Sequence, residues 1–223
     1  MSGTGVLAHY VTLPGGQVRL WRAQPGHSLP GPDLVVVAGL TLAASVVTRL
    51  VAEACPGWRI TTFEMPGIGG SSAHWAESVD EIAAALHAAL LPAGIDRFAL
   101  AAFDMAGAVA GALQRRCGGR VAASFLIGAK DAAAWAARGH APADLTPRQD
   151  GTQFTSMWAF IRDCHLLKSD DPTQPATGGE PIPEADDLDA TITAAAVRPE
   201  RFAALWATCA TAIGRAEGRH VGL

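Results

Sequence analysis

The stretch from Arg97 to Leu113, RFALAAFDMAGAVAGAL, decides the fold of this chain. Its first part, Phe98 to Phe103, is an apolar run that is too short to span a membrane and is typical of a strand buried on both faces. From Ala106 onward, small residues and Leu113 recur at helical spacing, which predicts a helix. Asp104 lies between the two, and its small neighbours let strand and helix pack closely around a sharp turn that presents its side chain. This is the geometry of a nucleophile elbow.

The composition limits the classes of function. The 223 residues fit one domain, or a core with a lid, and 49% of them are hydrophobic. With a net charge of −4 and no basic run, nothing in the sequence indicates a nucleic-acid partner, and we expect none. The N-terminus has neither the basic nor the apolar region of an export signal, and the most apolar stretch, Leu34 to Thr48, is about 15 residues long where a membrane span needs ~20. We therefore expect a soluble, cytoplasmic protein with no membrane partner.

The cysteines predict neither a disulfide framework nor a metal site. The chain has four of them, widely spread and without a CxxC pair, which favours reduced and mostly buried thiols. Asp163 and His165 flank Cys164, but three adjacent residues do not have the spacing of metal ligands. The glycines of 67–70 do not have the spacing of a dinucleotide fingerprint. We expect no metal and no cofactor.

Strand and helix patterns alternate up to about residue 131. Alternating residues on either side of Gly15-Gly16 predict a hairpin, and Ser78 with Glu81 forms a capping box that opens a helix. Two further apolar runs, 34–38 and 121–128, predict buried strands, and residues 58–63 predict another strand. This order is typical of a mostly parallel sheet with helices on both faces.

Beyond residue 131 the pattern changes. Residues 132–168 predict helices, the acidic and proline-containing stretch 169–187 predicts a loop, and 199–215 predicts a last helix. The predicted division is therefore a core at 1–131, followed by a helical cap and C-terminal helix at 132–223.

The order of these motifs resembles the α/β-hydrolase superfamily. Its esterase-like members carry patterns close to D-x-P-G-x-G-x-S after one strand and G-x-S-M-G-G at the elbow. Here the corresponding segments are EMPGIGGS at 64–71 and AFDMAG at 102–107. The resemblance covers residues 9–131 and implies a truncated α/β-hydrolase fold, with a mostly parallel sheet, flanking helices and a helical cap. It also implies an oxyanion hole formed by the backbone N–H groups of Leu40 and Met105.

Two departures from the family pattern bear on function. The nucleophile position holds Asp104 instead of serine, and Met105 follows it where the dehalogenases and epoxide hydrolases of this fold usually have tryptophan. In the family the cap precedes two further strands, which lead to the triad acid and the histidine, and this sequence ends where they should begin. We therefore expect an incomplete triad, with His220 and His140 as candidate bases. Two more histidines that would lie near the cleft are His165 and His74.

Asp104 and Asp131 are the candidate catalytic residues. Asp131 closes the strand next to the elbow, where some family members place the triad acid, although it equally fits a helix cap or turn. If both carboxylates face the cleft, their repulsion would leave one as a proton donor and the other as an acceptor. The candidate substrate-binding residues are Gly39, Phe103, Trp135 and Trp158.

Three functions are compatible with these residues. The first is an enzyme that acts on a small, largely apolar organic molecule by Asp104-based proton transfer, as a cyclase, isomerase or lyase. The Ala-rich and Arg-rich composition is similar to that of high-GC bacteria, where repurposed hydrolases serve natural-product biosynthesis. The second is an esterase, epoxide or haloalkane hydrolase with Asp104 as nucleophile, completed by a homodimer or a partner chain. The third is a non-catalytic, ligand-binding pseudoenzyme.

Overall fold

The computed structural model describes residues 5–23, 33–72, 76–127, 142–166 and 184–217. These ranges contain six strands and six helices. The strands are β1 (Val6–Leu13), β2 (Gly16–Ala23), β3 (Asp33–Val37), β4 (Arg59–Phe63), β5 (Phe98–Phe103) and β6 (Val121–Ile127). The helices are α1 (Ala44–Ala54), α2 (Val79–Leu90), α3 (Gly107–Cys117), α4 (Thr152–Leu166), α5 (Ala185–Ala196) and α6 (Pro199–Glu217).

The strands form a single mostly parallel sheet in the order β1-β2-β4-β3-β5-β6. The β1–β2 hairpin pairs antiparallel with β4, while β4, β3, β5 and β6 run parallel to one another. The predicted α/β fold class is therefore confirmed. Parallel neighbours require crossover connections, and α1, α2 and α3 supply them within the described part of the chain.

The central strand β3 is buried on both faces, as its apolar sequence predicts. Val35 and Val37 pack in one cluster with α2, α3 and the C-terminal helices. Leu34 and Val36 point to the opposite face and pack against α1. Successive side chains of a strand alternate between faces, so one short apolar run serves both halves of the core.

The strand at 121–128 is present as β6, but the prediction that it is buried is wrong for the described residues. Phe125 is 53% exposed, Leu126 63% and Ile127 39%. β6 lies at the end of the sheet, and β5 is its one partner among the described strands. An apolar sequence indicates that a strand can be buried. Whether it is buried depends on which other elements of the fold pack against it.

The C-terminal helices belong to the same core as the sheet. Met157 of α4, Leu188 of α5 and Leu205 of α6 are almost fully buried in the cluster that contains β3 and β5. The predicted loop at 169–187 is wrong from Ala185 onward, where α5 begins. None of the described helices combines the length and the apolar character that a membrane span requires.

Candidate functional site

The register of the sheet brings the ends of four strands together at one edge. Val37 of β3 pairs with Phe63 of β4 and with Ala102 of β5, and Ala102 pairs in turn with Leu126 of β6. The segments that follow β3, β4 and β5 therefore begin side by side. In open α/β sheets this carboxyl edge is where ligands bind.

The turn after β5 has the sharp strand-to-helix geometry that the sequence predicts. Phe103 is extended, residues 104–106 form one short 3-10 turn, and α3 begins at Gly107. The side chain of Met105 is buried in the core and holds the turn in place. α3 starts against β6: a Cβ atom on Gly107 would lie 3.5 Å from Cδ2 of Leu126, an ordinary van der Waals contact.

The segment after β3, residues 38–43, is held at two points by C-terminal helices. Nε2 of His165 on α4 lies 3.1 Å from the carbonyl oxygen of Thr41. The backbone N–H of Ala43 donates to Oγ1 of Thr191 on α5 over 2.9 Å. Leu40, between β3 and these two contacts, is buried, and its backbone N–H donates to no acceptor among the described residues.

Glu64, the residue after β4, is a buried carboxylate with a full set of donors. Its Oε1 accepts from Nε of Arg19 at 2.8 Å, from Nη2 of Arg19 and from Nε1 of Trp21 at 3.0 Å. Its Oε2 accepts from the backbone N–H of Gly70 at 2.9 Å. Burial alone lowers the pKa of Arg19, but the hydrogen bond and charge of Glu64 outweigh it and hold that pKa above its ordinary value.

The glycine-rich turn, residues 64–72, is also held by the C-terminal helices. Arg198, just before α6, donates to the carbonyl oxygen of Ser71 over 3.1 Å, and Arg201 of α6 donates to that of Pro66 over 3.3 Å. The N–H of Gly69 donates to the carbonyl oxygen of Ala194 on α5 over 3.1 Å. Burial lowers the pKa of Arg201, although the charges of nearby glutamates oppose that shift. These contacts fasten α5 and α6 to the edge of the sheet.

A cavity lies between these segments and the C-terminal helices. Its walls come from the segment after β3, the glycine-rich turn, α5 and α6: Ala38, Gly39, Leu40, Leu42, Ala43, Ala44, Glu64, Met65, Ile68, Thr191, Ala194, Ala195 and Phe202. Most of the lining is aliphatic or aromatic. Glu64 is its one charged member, and both of its oxygens are already engaged. The free space is small, about 20 Å³, but the walls that surround it are largely apolar.

The residues expected at the site are distributed as follows. Gly39 and Leu40 line the cavity, and Phe103 and Met105 lie on the neighbouring turn with the backbone of Asp104 between them. Trp158 is half-buried on α4, outside the lining, with the guanidinium of Arg162 5.4 Å from its ring centroid. The remaining predicted positions lie outside the described residues: Asp131, Trp135, His140, His220 and His74.

Apart from Gly39 and Leu40, the cavity residues were not predicted from the sequence, among them Glu64, Thr191 and Ala195. Glu64 matches a family motif, but its burial against Arg19 requires that the hairpin lie beside β4. Thr191 and Ala195 lie on α5. This helix was not predicted, because it begins within an acidic, proline-containing stretch that is typical of a loop. The apolar positions Leu188, Ile192 and Ala195 recur at helical spacing and were the available signal. In the described ranges, no group of three His, Cys, Asp or Glu side chains is placed to hold a metal ion.

A sequence model of the alpha/beta hydrolase fold family matches residues 32–170, more than half of the chain. The chain belongs to the α/β-hydrolase family. A search of curated protein sequences gave no match.

Solved structures of α/β hydrolases share the fold. Cfl2 from Burkholderia cenocepacia is 21% identical with a TM-score of 0.66, and the match covers 99% of this chain and 76% of Cfl2. A candidate epoxide hydrolase from Pseudomonas aeruginosa is 17% identical with a TM-score of 0.60, covering 96% and 75%. The N-acyl homoserine lactonase AidH, in complex with N-butanoyl homoserine, is 15% identical with a TM-score of 0.58, covering 95% and 70%. Identities this low establish a common fold and no activity.

Proposed function

We propose that this α/β-hydrolase family member is an enzyme that acts on a small, largely apolar organic molecule by proton transfer at Asp104. The observation that carries the proposal is the apolar-walled cavity at the carboxyl edge: it is lined by the segment after β3, and β3 pairs with β5, which leads into the turn that bears Asp104. A carboxylate next to an apolar site can act as a general acid or base. The reaction class is cyclisation, isomerisation or lyase chemistry, in which a proton moves to or from carbon.

Two backbone N–H groups would stabilise the negative charge that such a reaction creates. Leu40 and Met105 each lie three residues beyond the paired residues Val37 and Ala102, on neighbouring strands of the sheet. The N–H of Leu40 has no acceptor among the described residues and borders the cavity. In the proposed mechanism both N–H groups donate to the oxygen of an enolate or a polarised carbonyl.

The test measures the exchange of carbon-bound hydrogen for deuterium. The protein is incubated in D₂O with small ketones, esters, lactones and N-butanoyl homoserine lactone, and deuterium incorporation next to the carbonyl is followed by NMR. Asp104→Asn is expected to lower the rate at least about 100-fold, since general acid–base catalysis contributes on that order. The control is Asp80→Asn, an exposed carboxylate on α2, which should leave the rate unchanged. Full activity in Asp104→Asn would overturn the proposal.

A second candidate function is a hydrolase completed by another chain, with Asp104 as nucleophile. The exposed apolar strand β6 favours it, because the free edge of β6 has no partner among the described strands. Native mass spectrometry of the protein from its own source would reveal a stoichiometric second chain. A covalent adduct on Asp104 after incubation with an epoxide or ester probe would support this candidate over proton transfer.

A further inference from the structure

The cavity wall formed by residues 38–43 is a backbone segment without regular structure between β3 and α1. The orientation of its peptide groups is therefore not set by a strand ladder or by a helix. Leu40 is buried and borders the cavity, so a rotation of its peptide group would turn its N–H away from a bound molecule. Contacts from outside the segment must hold these peptide groups in place.

One of those contacts comes from α4. Nε2 of His165 lies 3.1 Å from the carbonyl oxygen of Thr41. That oxygen belongs to the Thr41–Leu42 peptide group, two peptide groups after the one that carries the N–H of Leu40. A carbonyl oxygen only accepts, so Nε2 carries the proton and donates. This hydrogen bond restrains the segment from the side of the C-terminal helices.

The second contact comes from α5. Oγ1 of Thr191 accepts from the N–H of Ala43 and donates to the carbonyl oxygen of Asp187 over 2.8 Å, so the hydroxyl is fixed in orientation. Asp187 in turn accepts two hydrogen bonds from Nη2 of Arg49 on α1, at 2.7 and 2.8 Å. The restraint on Ala43 is thus itself anchored to the core.

We propose that His165 and Thr191 are positioning residues that hold residues 39–43 so that the N–H of Leu40 faces the cavity. The inference rests on the proposed function for the role of that N–H in the reaction. It adds that two helices far along the chain, α4 and α5, determine the geometry of the proposed oxyanion hole. Neither residue needs to touch the reacting atoms, because each acts through the backbone of the segment.

The experiment compares substitutions that keep or remove each hydrogen bond. His165→Gln keeps a donor and Thr191→Ser keeps the hydroxyl, whereas His165→Leu and Thr191→Val remove them. The order parameter of the Leu40 N–H, from ¹⁵N relaxation, is expected to be about 0.85 in the wild type and the conservative variants, and below about 0.6 in the other two. The two variants with a lowered order parameter, His165→Leu and Thr191→Val, should also show a kcat for deuterium exchange that is about 10-fold lower, with KM unchanged.

His87→Leu is the matched control, since His87 is a half-buried histidine on α2 away from the segment. It should change neither measurement. An unchanged order parameter in both His165→Leu and Thr191→Val would overturn the inference, as would a lowered order parameter without any loss of kcat. If wild type and Asp104→Asn exchange deuterium equally, the proposed function fails on its own. The order parameters then decide whether the two residues position the segment.

Discussion

At the scale of single residues, Glu64 shows how a charge is tolerated in the interior of this protein. Its side chain is 4% exposed, and removing a carboxylate from water is costly unless donors replace the water. Four hydrogen bonds do so, three from Arg19 and Trp21 and one from the backbone of Gly70. The ion pair between Arg19 and Glu64 joins the β1–β2 hairpin to the glycine-rich turn. A substitution at Glu64 should therefore lower the stability of the whole fold.

Glu64→Gln is expected to lower the free energy of unfolding by about 3 kcal/mol. It leaves the partly buried guanidinium of Arg19 without its counter-charge, and breaking such pairs is strongly destabilising. Urea unfolding measures the effect. The control is Glu53→Gln, an exposed i,i+4 partner of Arg49, which should cost less than about 0.5 kcal/mol. Equal losses in the two variants would contradict this account.

The ion pair between Arg19 and Glu64 also predicts how the stability of the fold depends on pH. The pKa of Arg19 is raised in the folded state because Glu64 outweighs desolvation. A cation with a raised folded pKa contributes its full stability below its unfolded pKa, and that contribution is lost only as pH rises through the folded pKa. The difference in stability between wild type and Glu64→Gln should therefore be constant from neutral to moderately alkaline pH.

Gly67 allows a second test at this scale. It has φ +85°, and a Cβ there would lie 2.7 Å from Cγ of the buried Arg201. Gly57 has φ +104° with no atom within 4 Å of such a Cβ, so it carries the backbone strain without the clash. We expect Gly57→Ala to cost about 1 kcal/mol and Gly67→Ala about 2 kcal/mol more. Thermal and urea unfolding compare them, and a similar cost for both would show that Arg201 moves aside freely.

At the scale of elements, α5 matters most because it lines the cavity and holds the segment after β3. Three kinds of contact dock it: the apolar face of Leu188 and Ile192, the hydroxyl of Thr191, and the ion pair between Asp187 and Arg49. The hydrogen bond with Asp187 raises the pKa of Arg49. The helix is thus fastened to α1 at its beginning and to the core along its length.

Asp187→Asn is expected to lower the free energy of unfolding by about 1 kcal/mol, since it removes a two-oxygen, charge-assisted contact with Arg49. The loss should shrink at high salt, which already screens the pair in the wild type. Asp189→Asn changes an exposed carboxylate on the same helix and should cost less than about 0.5 kcal/mol. A loss independent of salt would indicate that packing, not charge, is affected.

At the scale of the whole molecule, the two edges of the sheet differ. β1 ends the sheet on one side and β6 on the other, and both are largely exposed in the described residues. β6 presents three consecutive large apolar side chains, Phe125, Leu126 and Ile127, whereas β1 presents two that are separated in sequence, Leu7 and Tyr10. Exposed apolar edge strands are templates for pairing with another chain. We therefore expect self-association of the protein to occur mainly through β6.

Phe125→Lys is expected to lower concentration-dependent self-association, because it places a charge on the exposed strand β6. Sedimentation velocity over a range of protein concentrations measures the effect. Leu7→Lys is the matched control on β1, where Leu7 is 64% exposed at the opposite edge, and it should change association little. A wild-type protein that sediments as a monomer at every concentration would contradict the prediction.

Features that depend on neighbouring residues could be predicted from the sequence. The two-glycine hairpin, the apolar strand β3 and the elbow after β5 follow from periodicity and turn residues, and all three are present. The capping box at Ser78 is present with both of its hydrogen bonds. Each of these is decided within a few residues of chain, where steric and hydrogen-bonding preferences act directly.

The rest of the site depended on contacts between distant residues. The exposure of β6, the partners of Glu64 and the contacts of His165 and Thr191 with the segment after β3 join parts of the chain that only packing brings together. The sequence by itself determined the family, the strands of the sheet and the place of Asp104 in the turn after β5, because apolar periodicity and turn chemistry are local. The tertiary structure alone decided which side chains surround the cavity, because burial and hydrogen-bond partners are properties of the packed molecule.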